Sequence, residues 1–247
     1  MKLKVIGSNS KGNAYFLETK TGGLLLDAGL RLRDIQKALG FDFNSILGCL
    51  ITHEHQDHCK GVRALTFLGI DCYMSMGTLK TMQSLNTHRL MPIISGMQFD
   101  IGDFTILPFD TEHDSAQPLG FFIQYRPTGE RLVYLTDSYY CKYKFPRLNY
   151  ILIECNYCLD ILKSNIEAGL IPEALKNRLL ESHFSLDNVK DFLQANDLSE
   201  VRKIVLIHLS DGNSDAERMV REIKELTGKD VEVAENGKEI ALELFEF

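Results

Sequence analysis

The segment LITHEHQDHCKG, residues 50–61, holds three histidines and two acids within six positions, directly after an apolar run. His53 and His55 lie two apart on an extended segment, so their side chains point to the same side. Asp57 and His58 follow where the next helix would begin, and such a turn can aim both at a neighbouring point. Divalent transition metals bind imidazole and carboxylate ligands. A solvated polar loop would explain a lone His-x-His pair, but the full His-x-His-x-Asp-His pattern predicts one half of a metal site.

Three further candidate ligands follow other apolar runs of the chain. His113 ends FTILPFDTEH, Asp137 ends RLVYLTD and His208 ends KIVLIH. A lone histidine in such a place is more often an exposed residue or a hydrogen-bonded core group than a ligand. Together with the first cluster, however, these residues supply seven ligand groups. That number is enough for two metals with one carboxylate between them.

Length and composition indicate one domain with a sizeable core, since the chain has 247 residues and 45% of them are hydrophobic. No apolar run approaches the ~18 residues that a membrane span needs. The initial MKLKVIGSNSKGN turns polar too early for a signal peptide, so we expect a cytoplasmic protein without a membrane partner. The net charge of −7 argues mildly against a broad nucleic-acid-coating surface and says nothing about a local site.

The six cysteines are scattered without the density of a disulfide scaffold, and we expect reduced thiols. Cys155 and Cys158 form a Cys-x-x-Cys pair. No second pair completes a four-thiolate zinc site, so we expect both to be structural. Cys59 follows His58 at a predicted helix start, where a thiol could be activated.

The elements that must position these residues alternate along the chain without a linker or repeat. Strand patterns dominate and helical patterns are interspersed, which indicates an α/β sandwich of two sheets covered by helices, in a single domain over 1–247. The predicted elements include helices over 59–69, 78–85 and 158–181 and a closing hairpin over 231–244. The helical stretch 158–181 contains no candidate ligand. We interpret it either as a lid over the site or as packing on the sheet.

The chain resembles the metallo-β-lactamase-fold hydrolases in the motif H-E-H-Q-D-H over 53–58 and in the order of the later ligands. The segments GSNSKGNAYFLE, LLLDAGL, HDSAQPLGF and LKNRLLESHFSLDNV sharpen the resemblance. They are similar to the small bacterial and phage-encoded YycJ (WalJ) type of this fold, which is regarded as a DNA exonuclease. Ribonuclease Z and the phosphoribosyl cyclic phosphodiesterases are the next relatives. The resemblance covers essentially the whole chain.

This resemblance implies a four-layer αββα sandwich with two mixed sheets and two divalent metal ions at one edge. Zinc is expected from the nitrogen-rich ligands, and manganese is the alternative. Two such cations lower the pKa of a bridging water, so that hydroxide is available to attack phosphorus. By the family pattern, the first metal would be held by His53, His55 and His113. The second metal would be held by Asp57, His58 and His208. Asp137 would bridge the two metals.

Two more residues are catalytic candidates alongside Asp57. His183, in ESHFSLDNV, looks like the histidine that ribonuclease Z and its relatives place beside a transferred phosphate. There it could stabilise charge or protonate the leaving oxygen. The alternative is a helix-entry histidine, with Ser185 as the cap. Glu154 is a candidate to orient His183 through a hydrogen bond. The chain reads E-C-N-Y-C-L-D over 154–160, however, and its relatives carry the following acid closer to the glutamate.

The stretch SYYCKYKFPR, 138–147, interleaves aromatic and basic residues directly after Asp137. Stacking faces beside cations are typical of single-strand nucleic-acid channels. The alternative is a surface loop with a few packed aromatic residues, and the sequence leaves both interpretations open.

These features favour a dinuclear metal-dependent phosphodiesterase, and within that class a nuclease that acts on DNA in preference to RNA, in the manner of an exonuclease. One alternative is a small-molecule hydrolase of the same fold that acts on a cyclic phosphodiester, a lactone or a thioester, because a fold does not determine a function. Another is a non-catalytic scaffold, although a scaffold has no need to keep seven ligand types. The sequence leaves the oligomeric state open.

Overall fold

The structure, a computed structural model, describes residues 1–82, 85 and 87–243, with 173–176 described by their backbone alone. The strands are β1 (Lys2–Asn9), β2 (Gly12–Thr19), β3 (Gly22–Leu26), β4 (Ile46–Leu50), β5 (Cys72–Ser75), β6 (Leu90–Ile93), β7 (Phe99–Ile101), β8 (Phe104–Asp110), β9 (Leu119–Tyr125), β10 (Glu130–Leu135), β11 (Tyr150–Glu154), β12 (Lys203–Ile207), β13 (Asp230–Val233) and β14 (Glu239–Ala241). The helices are α1 (Leu32–Ala38), α2 (Gln56–Cys59), α3 (Val62–Phe67), α4 (Met76–Thr81), α5 (Leu159–Glu167), α6 (Glu173–Ser182), α7 (Leu186–Ala195) and α8 (Ala216–Thr227).

Across these described residues, the strands form two mixed sheets of seven strands each, with helices flanking them. The chain also divides into two compact units: unit 1 is Met1–Asp110, Ser115–Gly129 and Glu235–Phe247, and unit 2 is Thr111–Asp114 and Glu130–Ala234. A single domain over 1–247 stays a prediction, and its last four residues lie outside the described part of the chain. Among the described helices, none has both the length and the apolar character that a membrane crossing requires.

Unit 1 contains the sheet β14-β1-β2-β3-β4-β5-β6, which is antiparallel from β14 to β3 and parallel from β3 to β6. It also contains the antiparallel strands β7, β8 and β9. Apolar side chains of the sheet, among them Phe16, Leu25 and Met74, form one core cluster with Ile35 of α1 and Leu65 of α3. These helices therefore cover one face of the sheet, as the predicted α/β sandwich requires.

Unit 2 contains four parallel strands in the order β10-β11-β12-β13. Residues 150–154 of β11 are all buried, as expected for a parallel strand that is covered on both faces. The carboxyl ends of parallel strands meet at one edge of a sheet, where functional groups collect. Asp137 lies two residues beyond β10, Glu154 is the last residue of β11, and His208 directly follows β12. This edge therefore positions three of the candidate residues.

Two predicted elements differ in the structure. The prediction of a closing hairpin over 231–244 is wrong, because β13 pairs with β12 whereas β14 pairs with β1. The turn at Gly237 exists, but the strands on its two sides belong to different sheets. The helix over 59–69 is two short helices, α2 and α3, because the chain at Gly61 lies against the segment after β3. The Gly61 N–H donates to the Ala28 carbonyl, and an added Cβ at Gly61 would lie 2.9 Å from the Leu30 carbonyl oxygen.

The predicted helix over 78–85 is only partly described, since residues 83 and 84 lie outside the described chain, and α4 ends at Thr81. The helical stretch 158–181 is present as α5 and α6. The predicted cap of the following helix is also present, because the N–H of Asn188 donates to the Ser185 hydroxyl oxygen at 3.1 Å.

Gly29 lies where the chain after β3 packs against α2. The Ala28 N–H donates to the His58 carbonyl, and the Gly29 N–H donates to the Asn13 carbonyl, both at 2.8 Å. An added Cβ at Gly29 would lie 1.6 Å from the carbonyl oxygen of Asp57, far inside van der Waals contact. Only glycine allows this approach, and the approach fixes the backbone that carries Asp57 and His58.

Gly29→Ala should therefore destabilise the protein by about 1–3 kcal/mol, because the backbone of α2 must move to accept the methyl group. Urea denaturation measures the change in the free energy of unfolding. Gly212→Ala is the matched control, since an added Cβ there meets nothing within 4 Å. Equal stability of Gly29→Ala and the parent would show that α2 is not held by this contact.

Candidate metal centre

The first ligand group is formed in unit 1 by His53, His55, Asp57 and His58. His53 and His55 follow β4, and the Nε2 atom of His53 lies 3.1 Å from Nδ1 of His55. Asp57 and His58 lie in α2, where Nε2 of His58 is 3.4 Å from the Asp57 carboxylate. The turn between strand and helix therefore brings all four side chains to one region, as the spacing predicts.

A buried carboxylate that the sequence analysis did not single out supports this group. Asp27, the first residue after β3, accepts a hydrogen bond from His58 Nδ1 at 2.8 Å and from the backbone N–H of Thr52 at 2.8 Å. The Thr52 hydroxyl contacts Asp27 and also lies 3.0 Å from His53 Nδ1. These contacts fix the rings of both histidines. Since Nδ1 of His58 is engaged by Asp27, Nε2 is its candidate ligand atom, and Nε2 lies 3.1 Å from the Asn13 side-chain nitrogen.

The second ligand group is formed in unit 2 by His113, Asp137 and His208. Nδ1 of His208 lies 2.6 Å from one Asp137 oxygen, and Nε2 of His113 lies 3.6 Å from the other. His113 Nδ1 donates to the Ser182 carbonyl at 2.9 Å, which turns Nε2 toward Asp137. Burial lowers the pKa of His113, and the nearby Asp137 only partly offsets this. The neutral imidazole that a metal requires is therefore favoured.

Glu154 and His183 join this group. Oε1 of Glu154 lies 2.6 Å from His183 Nδ1, so the hydrogen bond expected between them is present, and 3.3 Å from His208 Nδ1. Oε2 accepts the backbone N–H groups of Ser138 and Phe184, both at 3.2 Å. These four donors satisfy a carboxylate that is fully buried.

The charges of these groups are interdependent. Burial would raise the pKa of Glu154, but His183 beside it holds that pKa below its usual value. Burial would lower the pKa of His183 and of His208. Glu154 outweighs this effect at His183, and at His208 Asp137, with Glu154, raises the pKa to about 10. Ligand-type atoms of Asp137, Glu154, His183 and His208 lie within 4.8 Å of one another, so Glu154 and His183 could themselves bind a metal.

The backbone is strained at three positions of these networks. Asp27, Asp137 and His208 have φ values of 57°, 45° and 53°, in the left-handed region that residues with a Cβ rarely adopt. Such conformations cost about 1–3 kcal/mol each and persist where the surrounding structure imposes them. Each of these residues follows a strand closely, so the left-handed turn is what redirects its side chain at the strand end.

The donor set fits a transition metal. Two ligand atoms that are each about 2.0–2.2 Å from one tetrahedral ion lie roughly 3.3–3.6 Å apart. The spacings of 3.4 Å for Asp57 and His58 and of 3.6 Å for His113 and Asp137 agree with that geometry, and the 3.1 Å between His53 and His55 is slightly shorter. Imidazole nitrogens with carboxylate oxygens suit zinc and manganese alike.

The comparisons with known proteins agree with this chemistry. A family model described as the beta-lactamase superfamily domain matches residues 23–209. The chain belongs to the β-lactamase superfamily. It is 30% identical to the exodeoxyribonuclease WalJ of Streptococcus pneumoniae over 235 residues, covering 86% of this chain and 83% of that protein. It is 27% identical to the exodeoxyribonuclease YycJ of Bacillus anthracis over 228 residues, covering 87% and 84%.

Among solved structures, the metallo-β-lactamase-fold protein YhfI of Bacillus subtilis matches with a TM-score of 0.73 at 17% identity, covering 97% of this chain and 98% of YhfI. The predicted fold class is thus confirmed as the metallo-β-lactamase sandwich. The protein is a metal-dependent hydrolase of this superfamily, and its histidine and aspartate groups fit a divalent metal site.

The cysteines of this superfamily member lie outside this chemistry. All six are free, and Cys155 and Cys158 are buried. Burial raises the pKa of the Cys59 thiol to about 12, so Cys59 is not an activated nucleophile despite its position beside His58. Its sulfur donates instead to the Glu54 carbonyl at 2.9 Å.

Asp27→Asn should weaken metal binding by about 10- to 100-fold, because the amide keeps the size of the side chain but lacks the charge that orients His58. Competition with a chromophoric chelator measures the affinity. Asp100→Asn is the control, since Asp100 is an exposed carboxylate paired with Arg126. Unchanged affinity in Asp27→Asn would mean that His58 is held by other contacts or is not a ligand.

Proposed function

We propose that the protein is a dinuclear metal-dependent phosphodiesterase that degrades DNA as an exonuclease. The observation that carries this proposal is the pair of His183 and Glu154 beside Asp137 and His208, because a held imidazole next to candidate ligands suits the departure of a phosphate ester oxygen. The names of the two curated relatives support DNA as the substrate and a nucleic acid as the partner.

We assign the ligands by the family pattern, with zinc as the expected metal and manganese as the alternative. The spacings of 3.4 Å between Asp57 and His58 and of 3.6 Å between His113 and Asp137 support this assignment. The proposed ligands of the first metal are His53, His55 and His113. Those of the second metal are Asp57, His58 and His208. Asp137 is the proposed bridge.

Two divalent cations, when bound, supply Lewis-acid activation of water and of the phosphate oxygens. The chain's own groups orient the reactants and move the proton. The Asp57 side chain is 25% exposed, whereas His58 beside it is fully buried, so Asp57 can also accept a hydrogen bond from the attacking water. His183 is held at Nδ1 by Glu154, which leaves Nε2 to donate a proton to the leaving oxygen.

The location of this enzyme is proposed to be the cytoplasm. All six cysteines are free, as expected for a chain kept in a reducing compartment. The Cys155–Cys158 pair and Cys59 have no role in the proposed reaction.

Removing metal should abolish hydrolysis of single-stranded DNA, and adding zinc or manganese should restore it. The purified protein is dialysed against a chelator, then assayed with each metal on single- and double-stranded DNA, RNA, a cyclic phosphodiester, a lactone and a thioester. Metal-dependent release of nucleotides from DNA supports the proposal. Turnover of only the lactone or thioester would replace it with acyl hydrolysis, and full activity without metal would overturn it.

His183→Ala should reduce DNA turnover by about 10²–10⁴-fold and leave the metal content unchanged, because it removes a proton donor without removing a ligand. Metal analysis and kinetics are measured on the same preparation. His88→Ala is the matched control, since His88 is an exposed histidine outside both ligand groups, and it should behave as the parent does.

Asp57→Ala is the contrasting variant, since it removes a proposed ligand and should lower metal content and turnover together. Loss of metal in His183→Ala would make His183 a ligand. If His183→Ala were as active as the parent, His183 would be only a packed residue at the start of α7. The phosphodiesterase proposal would then lose its main support.

A further inference from the structure

Unit 2 contains a cavity of about 420 Å³ between the loop after Asp137 and helix α7. We call it the aromatic cavity and define it by six of its lining residues: Tyr140, Lys142, Tyr143 and Lys144 of the loop, Phe184 just before α7, and Phe192 in α7. Phe184 and Phe192 are buried, whereas Tyr140 is 56% exposed. The cavity therefore has an apolar floor and an aromatic and basic rim. Its size is within the roughly 300–1,000 Å³ of small-molecule pockets.

The aromatic cavity lies beside the second ligand group, and the Glu154 carboxylate contacts both. Its Oε2 atom accepts from both Ser138 N and Phe184 N, at 3.2 Å each. One wall therefore begins directly after Asp137, and the floor begins directly after His183. Helix α7 is tied to the same loop, because the Asn188 side-chain amide donates to the Tyr139 carbonyl at 2.8 Å.

A second cavity, of about 690 Å³, shares the lining residue Tyr139 with the aromatic cavity. Its lining also includes His113, Arg178 and Ser182 and three carboxylates, those of Glu112, Asp114 and Glu181. Since Tyr139 lines both spaces, the aromatic cavity is separated from the space beside His113 by this one residue. Both spaces lie wholly within unit 2.

The chemistry of the aromatic cavity matches a nucleotide. Lys142 and Lys144 line the cavity together with one acid, Asp191, in a protein whose net charge is −7. The Lys142 ammonium lies 5.3 Å from the centre of the Tyr143 ring, so charge and ring face occur together. Asn188 and Asp191 add polar groups that can pair with base edges. A base can stack on the rings while the lysines neutralise the adjoining phosphates.

We propose that the aromatic cavity binds a nucleobase of a single-stranded nucleic acid next to the phosphate that is cut, an inference that rests on the proposed nuclease function. Tyr140 supplies the accessible ring face, and Lys142 and Lys144 contact the backbone phosphates. The base enters without sequence selection, since every base has a face that can stack.

The test is equilibrium binding of metal-loaded protein to a short fluorescein-labelled oligothymidylate whose phosphorothioate links resist cleavage. Tyr140→Ala should weaken binding by about 5- to 150-fold, the effect of losing one stacked base. Tyr140→Phe should bind as the parent does, because the ring is kept. Phe67→Ala is the matched control, since Phe67 is an aromatic residue of α3 that is 79% exposed, and it should not change the affinity.

An abasic oligomer with the same backbone isolates the contribution of the bases, and the parent should bind it more weakly than the oligothymidylate. Equal affinity of the parent for the two oligomers, no binding by the parent, or parental affinity in Tyr140→Ala would each overturn the proposal. DNA hydrolysis is measured separately. If the parent cuts DNA but Tyr140→Ala binds normally, only the proposed role of the aromatic cavity is refuted. If the parent cuts no DNA but binds the oligothymidylate through Tyr140, base binding by the cavity is supported and the proposed nuclease function is refuted.

Discussion

The Glu154 carboxylate accepts hydrogen bonds from three segments of unit 2 that are far apart in sequence. Ser138 follows β10, His183 and Phe184 precede α7, and His208 follows β12. A buried charge without partners would cost several kcal/mol, so this residue is stable only if all three segments stay in place. The carboxylate thereby fixes the distance of His183 from His208 and Asp137. It also fixes the loop and the helix that enclose the aromatic cavity.

Unit 1 also contains a buried carboxylate that holds several segments together. Asp27 is fully buried after β3 and accepts hydrogen bonds from His58 and from Thr52, which in turn contacts His53. In both units a buried carboxylate at a strand end orients imidazoles by their Nδ1 atoms. Several candidate ligands lie on loops, but the carboxylates that orient them lie at the ends of strands. The rigid sheet therefore fixes the geometry of these side chains.

The sequence predicts seven candidate ligands because they follow apolar runs and the chemistry of histidine and aspartate is distinctive, and the structure groups four of them in unit 1 and three in unit 2. The sequence did not identify Asp27, since an acid before Ala-Gly after a strand is equally typical of a simple turn. The clue was a charged residue directly after the apolar GGLLL run. The closing hairpin was wrong for a related reason. A turn signal gives the local chain reversal but not the sheet that each strand joins, and that choice depends on long-range pairing of β14 with β1.

The hydrogen bonds among candidate ligands also determine what metal binding must displace. His53 contacts His55, and His208 contacts Asp137. The first contact needs a proton on one of the two facing nitrogens, and the second needs one on the His208 nitrogen. A metal that binds the two facing nitrogens of His53 and His55 replaces the proton between them, so its binding should release a proton to solvent. The His208 Nδ1 proton stays on its contact with Asp137 and Glu154. Because Asp27, Thr52 and Glu154 already hold the rings, little conformational freedom is lost when a cation binds. Orienting carboxylates that fix the imidazoles therefore serve two ends: they prepare the geometry for a cation, and they hold His183 in place for a proton transfer to the leaving oxygen.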